Sequence, residues 1–356
     1  MKSRGSILNG IKSVLLQSTA VLTLSAGCAY AAPSISTVNG AISEQSTITV
    51  SGSGFGSGPK VILYDDFNGG SVGNPIPMSA DVGNWSDTSG NTPIFSNTAR
   101  SGSSSMRAYY GGKAAQLQKV FPSPATEVFL SYWVRVPDNT PFPGKDGGVK
   151  KFSSDSSWKL AWLIDTSYDG SSSDICTPTH TGRGSFSLMG NDFNLAKLPS
   201  NSGWWSWNSW MRVTVWLKAS TSSPTASGQY LWQVVSAEKG LSAVKASKPV
   251  FDADGSSQKY YRFVNLPGWI RTGNSSQPVY DDVYMATGAN AQARIEIGDA
   301  STYAASKHLS LLIPEGWSSN SINAKLPAAA LPKSGAAYLY VTDKDGNVNS
   351  TGYKIR

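Results

Sequence analysis

Apolar and polar side chains alternate along this chain in short runs, and clusters of Gly, Ser, Thr and Asn separate the runs. That period-two pattern with frequent turn signals predicts strands at Glu127–Pro137, Trp158–Asp165, Trp210–Lys218, Tyr230–Val235, Tyr260–Asn265 and Tyr280–Ala286. No 3.6-residue periodicity persists long enough to propose a sizeable helix after the first thirty-one residues. Alternation also assigns faces. In Trp210–Lys218, Met211, Val213, Val215 and Leu217 point one way and form core, while Trp210, Arg212, Thr214, Trp216 and Lys218 point the other. Glu127–Val136 repeats the division: Val128, Leu130, Tyr132, Val134 and Val136 oppose Phe129, Ser131, Trp133 and Arg135.

Two acidic strand phrases, Leu63-Tyr64-Asp65-Asp66-Phe67 and Val279-Tyr280-Asp281-Asp282-Val283-Tyr284-Met285, bracket eleven of the twelve tryptophans. They read as opening and closing strands that lie side by side. The ends of the chain are composed differently from this centre. The expected organisation is therefore a signal segment at 1–31, a discontinuous outer domain from 33–60 and 289–356, and an inserted sandwich at 61–288. Insertion of this kind works when the guest's own termini lie close together. The competing organisation has two separate half-formed modules.

Residues 1–31 carry Lys2, Arg4 and Lys12, then a short apolar run from Ser13 to Gly27, then the small-x-small site Ala29-Tyr30-Ala31. This is the grammar of an export signal. The apolar run is too short and too rich in Ser, Thr and Gly to span a membrane. Lipid attachment at Cys28 is the alternative. Either way the protein is exported from a bacterial cell, secreted or held at the surface. Loss of the signal removes three of thirty Lys and Arg and none of twenty-three Asp and Glu, so the balance falls from +7 to +4. That surplus, without a basic run or zinc spacing, gives no reason to expect a nucleic-acid partner. Cys176 is the one cysteine left beyond the signal, so no internal disulfide is expected.

The outer segments resemble an IPT/TIG domain, a small immunoglobulin-like sandwich. The resemblance rests on Pro33-Ser34-Ile35-Ser36 with Ser46-Thr47-Ile48-Thr49-Val50-Ser51-Gly52-Ser53-Gly54-Phe55-Gly56. It continues through Ala293–Asp299, Trp317-Ser318-Ser319-Asn320-Ser321-Ile322 and Ala337–Asn347, which includes the tight-turn pair Asp345-Gly346. The centre resembles a concanavalin A-like lectin/glucanase sandwich, a fold shared with polysaccharide lyases. Here the residues are Tyr64–Gly70, Ser131–Val136, Asn208–Trp216 and Tyr280–Tyr284. Together they imply an all-β protein, a concanavalin A-like jelly-roll sandwich plus a small immunoglobulin-like one.

Indole rings cover the apolar faces of pyranoses. Trp133, Arg135, Trp210, Arg212 and Trp216 are accordingly expected to line a groove for a polysaccharide or cell-surface glycan. The other reading is that these tryptophans cap a second core where the outer domain docks. Trp204, Trp205 and Trp207, in a Gly/Ser-flanked loop, cannot all enter one core, so at least one is expected to meet a glycan or a second copy of the chain.

Catalysis is open. The Glu-x-Asp-x-x-Glu cluster of laminarinase-type members is absent, since the five glutamates stand at 44, 127, 238, 296 and 315. A polysaccharide lyase acting by β-elimination needs a base and a carboxylate neutraliser. His180 or Tyr132 as base, with Arg183 or Lys159 as neutraliser, are the candidates. The resemblance also implies a structural Ca²⁺ tying first strand to last, with Asp66 and Asp282 at the matching positions. The reading that comes first is an exported carbohydrate-binding protein. A lyase for an acidic glycan and a self-associating matrix or adhesive protein are its alternatives.

Overall fold

The structure, a computed structural model, describes residues 32–136, 158–164, 175–181, 185–190, 208–220, 228–248, 260–270 and 277–356. It is all-β. Among the described residues a single 3₁₀ turn, Tyr303–Ala305, is the one helical element, and no helix is long and apolar enough to cross a membrane.

Two eight-stranded antiparallel sheets form the larger sandwich. The first runs Gly240–Lys248, Gly228–Ser236, Met211–Lys218, Glu127–Arg135, Val279–Thr287, Ser105–Arg107 and Ile94–Ser96, with Lys60–Asp65 also on Val279–Thr287. The opening and closing acidic strands are thus neighbours, with Val283 opposite Asp65 and Tyr284 opposite Tyr64. The second sheet runs Trp269–Ile270, Trp158–Lys159, Ile175–Thr181, Trp162–Ile164, Tyr261–Leu266, Leu117–Ala125 and Asp87–Thr88, and Ser185–Gly190 joins Ile175–Thr181.

The alternation in the sequence is reproduced between these sheets. Val128, Leu130, Tyr132, Val134, Met211, Val213, Val215 and Leu217 meet Leu117, Phe121, Leu163, Val264 and Leu266 in one apolar core. The single strand expected over Trp158–Asp165 is divided into Trp158–Lys159 and Trp162–Ile164. The backbone of Gly268 explains the break. Its N–H donates to the Lys159 carbonyl (3.0 Å), and a Cβ on it would lie 2.6 Å from the Ala161 carbonyl carbon.

Both ends of the chain build two four-stranded sheets. One is ordered Ser34–Asn39, Thr47–Ser53, Ser321–Lys325, Ile313–Trp317; the other is ordered Leu309–Leu311, Arg294–Gly298, Tyr338–Thr342, Tyr353–Lys354. Ile48, Val50, Phe55, Ile295, Ile297, Leu312, Ile322, Leu339 and Val341 fill the space between them.

Candidate functional site

The groove expected on the outer face of the first large sheet is closed. Trp133 is only 5 % exposed, packed with Val235, Leu309 and Tyr340, with the Arg100 guanidinium 4.0 Å from its ring centroid. Arg212 is buried as well. It donates to the Leu309 carbonyl (2.8 Å) and to Glu296 (2.5 Å). Arg294 and the Tyr303 hydroxyl donate to the other Glu296 oxygen, each at 2.8 Å. Burial alone would push the Glu296 carboxyl up. The two guanidinium groups outweigh it and hold the carboxyl below the usual carboxylate range.

Trp216 is buried among Tyr64, Phe129, Leu231, Tyr284, Leu311 and Ile313, and its indole N–H donates to Glu127 (3.0 Å). Trp210 is half-buried against the Trp133 cluster, and Arg135 is spent on the Asn208 carbonyl (2.8 Å). These rings therefore cap a second core. The physical reason is that the outer face of strands Glu127–Arg135 and Met211–Lys218 meets an apolar and oppositely charged layer, Leu309, Leu311, Ile313, Tyr340 and Glu296, instead of water. Trp204, Trp205 and Trp207 lie outside the described residues.

Tyr132 is not placed to act as a base. It sits in the apolar core with its hydroxyl unpartnered, 5.6 Å centroid to centroid from Tyr280, and burial raises its pKa further. His180 lies on strand Ile175–Thr181, opposite Trp158 in register, and Arg183 is outside the described residues. Lys159 is half-buried, 4.6 Å above the Trp162 ring, and burial lowers its pKa.

Asp66 and Asp282 do not fit a shared Ca²⁺. The Asp282 carboxylate accepts from Arg100 (2.7 Å), the Ser101 hydroxyl (2.9 Å) and the Tyr64 hydroxyl (3.1 Å). Asp66 caps its own turn, accepting from the Asn68 N–H (3.0 Å). Among the described residues no group of three or more His, Cys, Asp or Glu could hold a metal ion.

Strand register assembles a different polar row on the second large sheet. Asp87 pairs with Gln118, Gln118 with Asn265, and Asn265 with Trp162, across four adjacent strands. Leu117, Val264, Leu266 and Leu163 flank this row in sequence and point into the core, so the row belongs to the opposite face. Gln118 donates its amide N–H to the Asn265 side-chain carbonyl (3.1 Å). Asn265 is fully buried, and its side-chain NH₂ has no hydrogen-bond partner. Beside the row, the Gln116 amide ties down the carbonyls of Pro267 and Gly268 at 2.8 and 2.6 Å. An amide pair, an indole and an ammonium group thus converge on one sheet. The sequence signal was available: Gln118 and Asn265 interrupt apolar strands on the face away from core, but neither belongs to a recognisable motif.

The class this defines is an all-β protein of stacked antiparallel sheets. No protein-family model and no curated protein matches the chain. Among solved structures it is similar to the cellulose induced protein Cip1, at 17 % identity and TM-score 0.39, over 64 % of this chain and 97 % of that one. It is also similar to alginate lyase vAL-1 from Chlorella virus (10 %, 0.40, 57 % and 93 %) and to lectin II from Ulex europaeus (11 %, 0.37, 61 % and 100 %). No residue role and no ligand passes from these structures to this chain.

Proposed function

We propose that the protein is an exported carbohydrate-binding protein, a concanavalin A-like sandwich carried by an IPT/TIG-like one. It holds a polysaccharide against the second large sheet, along Gln118, Asn265, Trp162 and Lys159. The observation that supports this most is the buried Asn265 NH₂ without a partner. Leaving such a donor unmade costs about 1–3 kcal/mol; Asn265 is fully buried, so a saccharide oxygen recovers that cost only by displacing what covers the amide. Gln118 fixes the amide's orientation, Trp162 supplies an aromatic edge and Lys159 a cation.

The test is a glycan array with the wild type and Asn265→Ala. Binding to one glycan class that falls at least about tenfold in the variant is the expected result. Equal binding by both proteins removes the row from the site.

One observation favours a second reading, a polysaccharide lyase for an acidic glycan. Lys159 lies 4.6 Å from the Trp162 ring centroid, and Thr179-His180 is carried on the strand paired with Trp158-Lys159. A cation there would neutralise a uronate carboxylate. Incubation with alginate, pectate, heparin and glucuronan, followed by the absorbance of unsaturated uronates, separates the two readings. Silence on all four, with retention on a glycan column, leaves binding alone.

A further inference from the structure

A second polar recess, of about 320 Å³, opens where the first large sheet meets the hairpin around Asp345. Its volume is at the lower end of the range for small-ligand sites, about 300–1,000 Å³. Lys218 and Lys245 line it from the larger sandwich and Lys344 and Asp345 from the hairpin, together with Gln229, Gln292 and Trp216. The charges inside are imperfectly matched. Lys245 donates to the Asp345 main-chain carbonyl (2.8 Å) and lies 5.4 Å from the Trp216 ring centroid. Burial and the Arg294 guanidinium both disfavour the Lys245 charge. Lys344 pairs with its own neighbour Asp345 at 2.8 Å, both about half exposed. Such an exposed pair is worth at most about 1 kcal/mol. Lys218 reaches Glu127 only at 3.8 Å.

The hairpin's approach depends on one residue. Gly346 has φ +82°, and a Cβ there would lie 2.4 Å from the Gln292 side-chain oxygen and 2.6 Å from the Lys245 ammonium. The Asp345-Gly346 turn therefore does more than reverse the chain. It lets Lys344 and Lys245 face the same cavity.

We propose that this recess binds the anionic group of an acidic saccharide unit, a carboxylate or a sulfate, at a site separate from the Gln118–Asn265 row. Charge-assisted hydrogen bonds from three ammonium groups hold the anion, and the Gln229 amide takes a neighbouring hydroxyl, while Gln292 donates to the Lys344 carbonyl (3.2 Å) and holds the hairpin. The site goes beyond the carbohydrate reading of the second sheet, because it lies on other strands and selects for charge.

The full chain without its signal is titrated calorimetrically at about 50 mM salt, where screening is modest. The probes are a galacturonate trisaccharide, a sulfated heparin tetrasaccharide and neutral maltotriose. At least one anionic probe is expected to bind, and the two anionic arms distinguish carboxylate from sulfate. Lys245→Gln with Lys344→Gln is expected to weaken that probe at least about tenfold. The control Lys239→Gln with Lys333→Gln is expected to change it less than about twofold, and Asn265→Ala to leave it unchanged. Lys344→Gln alone, on an exposed turn, supplies a measurement should the double variant not fold. The proposal is overturned if neither anionic probe binds, if maltotriose binds equally well at this recess, or if both lysine pairs weaken binding alike. Loss of the anionic probe in Asn265→Ala would also overturn it, by merging the two sites.

Discussion

The two outer faces of the larger sandwich carry similar chemistry and meet different fates. On the first sheet, Trp133, Arg212 and Trp216 are covered and the charges are matched by protein: Arg212 and Arg294 share Glu296, and the Trp216 N–H meets Glu127, while the Arg212 Nε and the Tyr284 hydroxyl are left without a partner. On the second sheet, Trp162 and Lys159 stand beside an amide whose NH₂ is unmatched. Rings and cations therefore do not by themselves distinguish an interface from a ligand site. The distinction lies in whether the opposing layer supplies the complementary groups. Where it does, the face is cement between two sandwiches. On the second sheet the half-used Asn265 amide is the group to which a ligand has something to add.

The comparison breaks most sharply at Glu296. Replacing it in Glu296→Gln leaves two guanidinium groups buried without a counter-charge, which costs about 3–5 kcal/mol. Urea unfolding of the variant should show that loss. A change below about 1 kcal/mol would mean that the first face is not held by its charges.

Glu127, on the same face, sharpens the contrast, because its partner Lys218 is distant. Burial pushes its pKa up to about 7 from the usual 4.5. A raised carboxyl contributes stability that is full below the unfolded value and is lost as pH rises through the folded one. Its contribution therefore declines between about pH 4.5 and 7, by about 3 kcal/mol in total. Glu127→Gln keeps an acceptor for Trp216 and has no charge to disfavour, so its advantage over the wild type should grow across that window. His308, whose pKa burial lowers to about 4, slopes the opposite way in both proteins, so it cancels in the difference. A difference flat with pH would contradict the assignment.

On the second face the expected effect is on binding, not folding. Asn265→Ala removes an amide of which half is unused, so stability should shift by no more than about 1 kcal/mol while glycan affinity falls at least about tenfold. Thermal melts beside the glycan array separate the two. The smallest effect belongs to Tyr132→Phe. It deletes a buried hydroxyl with no partner and should be neutral, or stabilising by up to about 1 kcal/mol. Any β-elimination activity lost in Tyr132→Phe would restore that residue as a base.

Much of the architecture was legible in the chain. Strict alternation through Met211, Val213, Val215 and Leu217 identified the core face, and the paired acidic phrases identified adjacent strands. The fate of the other face was not legible, because alternation says only that Trp133 and Arg212 leave the first core. What they meet, Leu309, Tyr340 and Glu296, lies 84 residues or more downstream, and no local pattern links the two. Asn265 was hidden for a related reason. One amide in the strand Tyr261–Leu266 looks unremarkable until register sets Gln118 beside it on one side and Trp162 on the other.

The central claim is that the sugar of the proposed function is held at the Gln118–Asn265 row of the second large sheet and not against Trp133 on the covered face of the first. Calorimetric titration of one array-selected oligosaccharide into the wild type, Asn265→Ala and Trp133→Phe tests it most directly. Affinity should fall at least about tenfold in Asn265→Ala and stay within about twofold of the wild type in Trp133→Phe. Loss confined to Trp133→Phe, with Asn265→Ala unaffected, would return the site to the covered face and contradict the account.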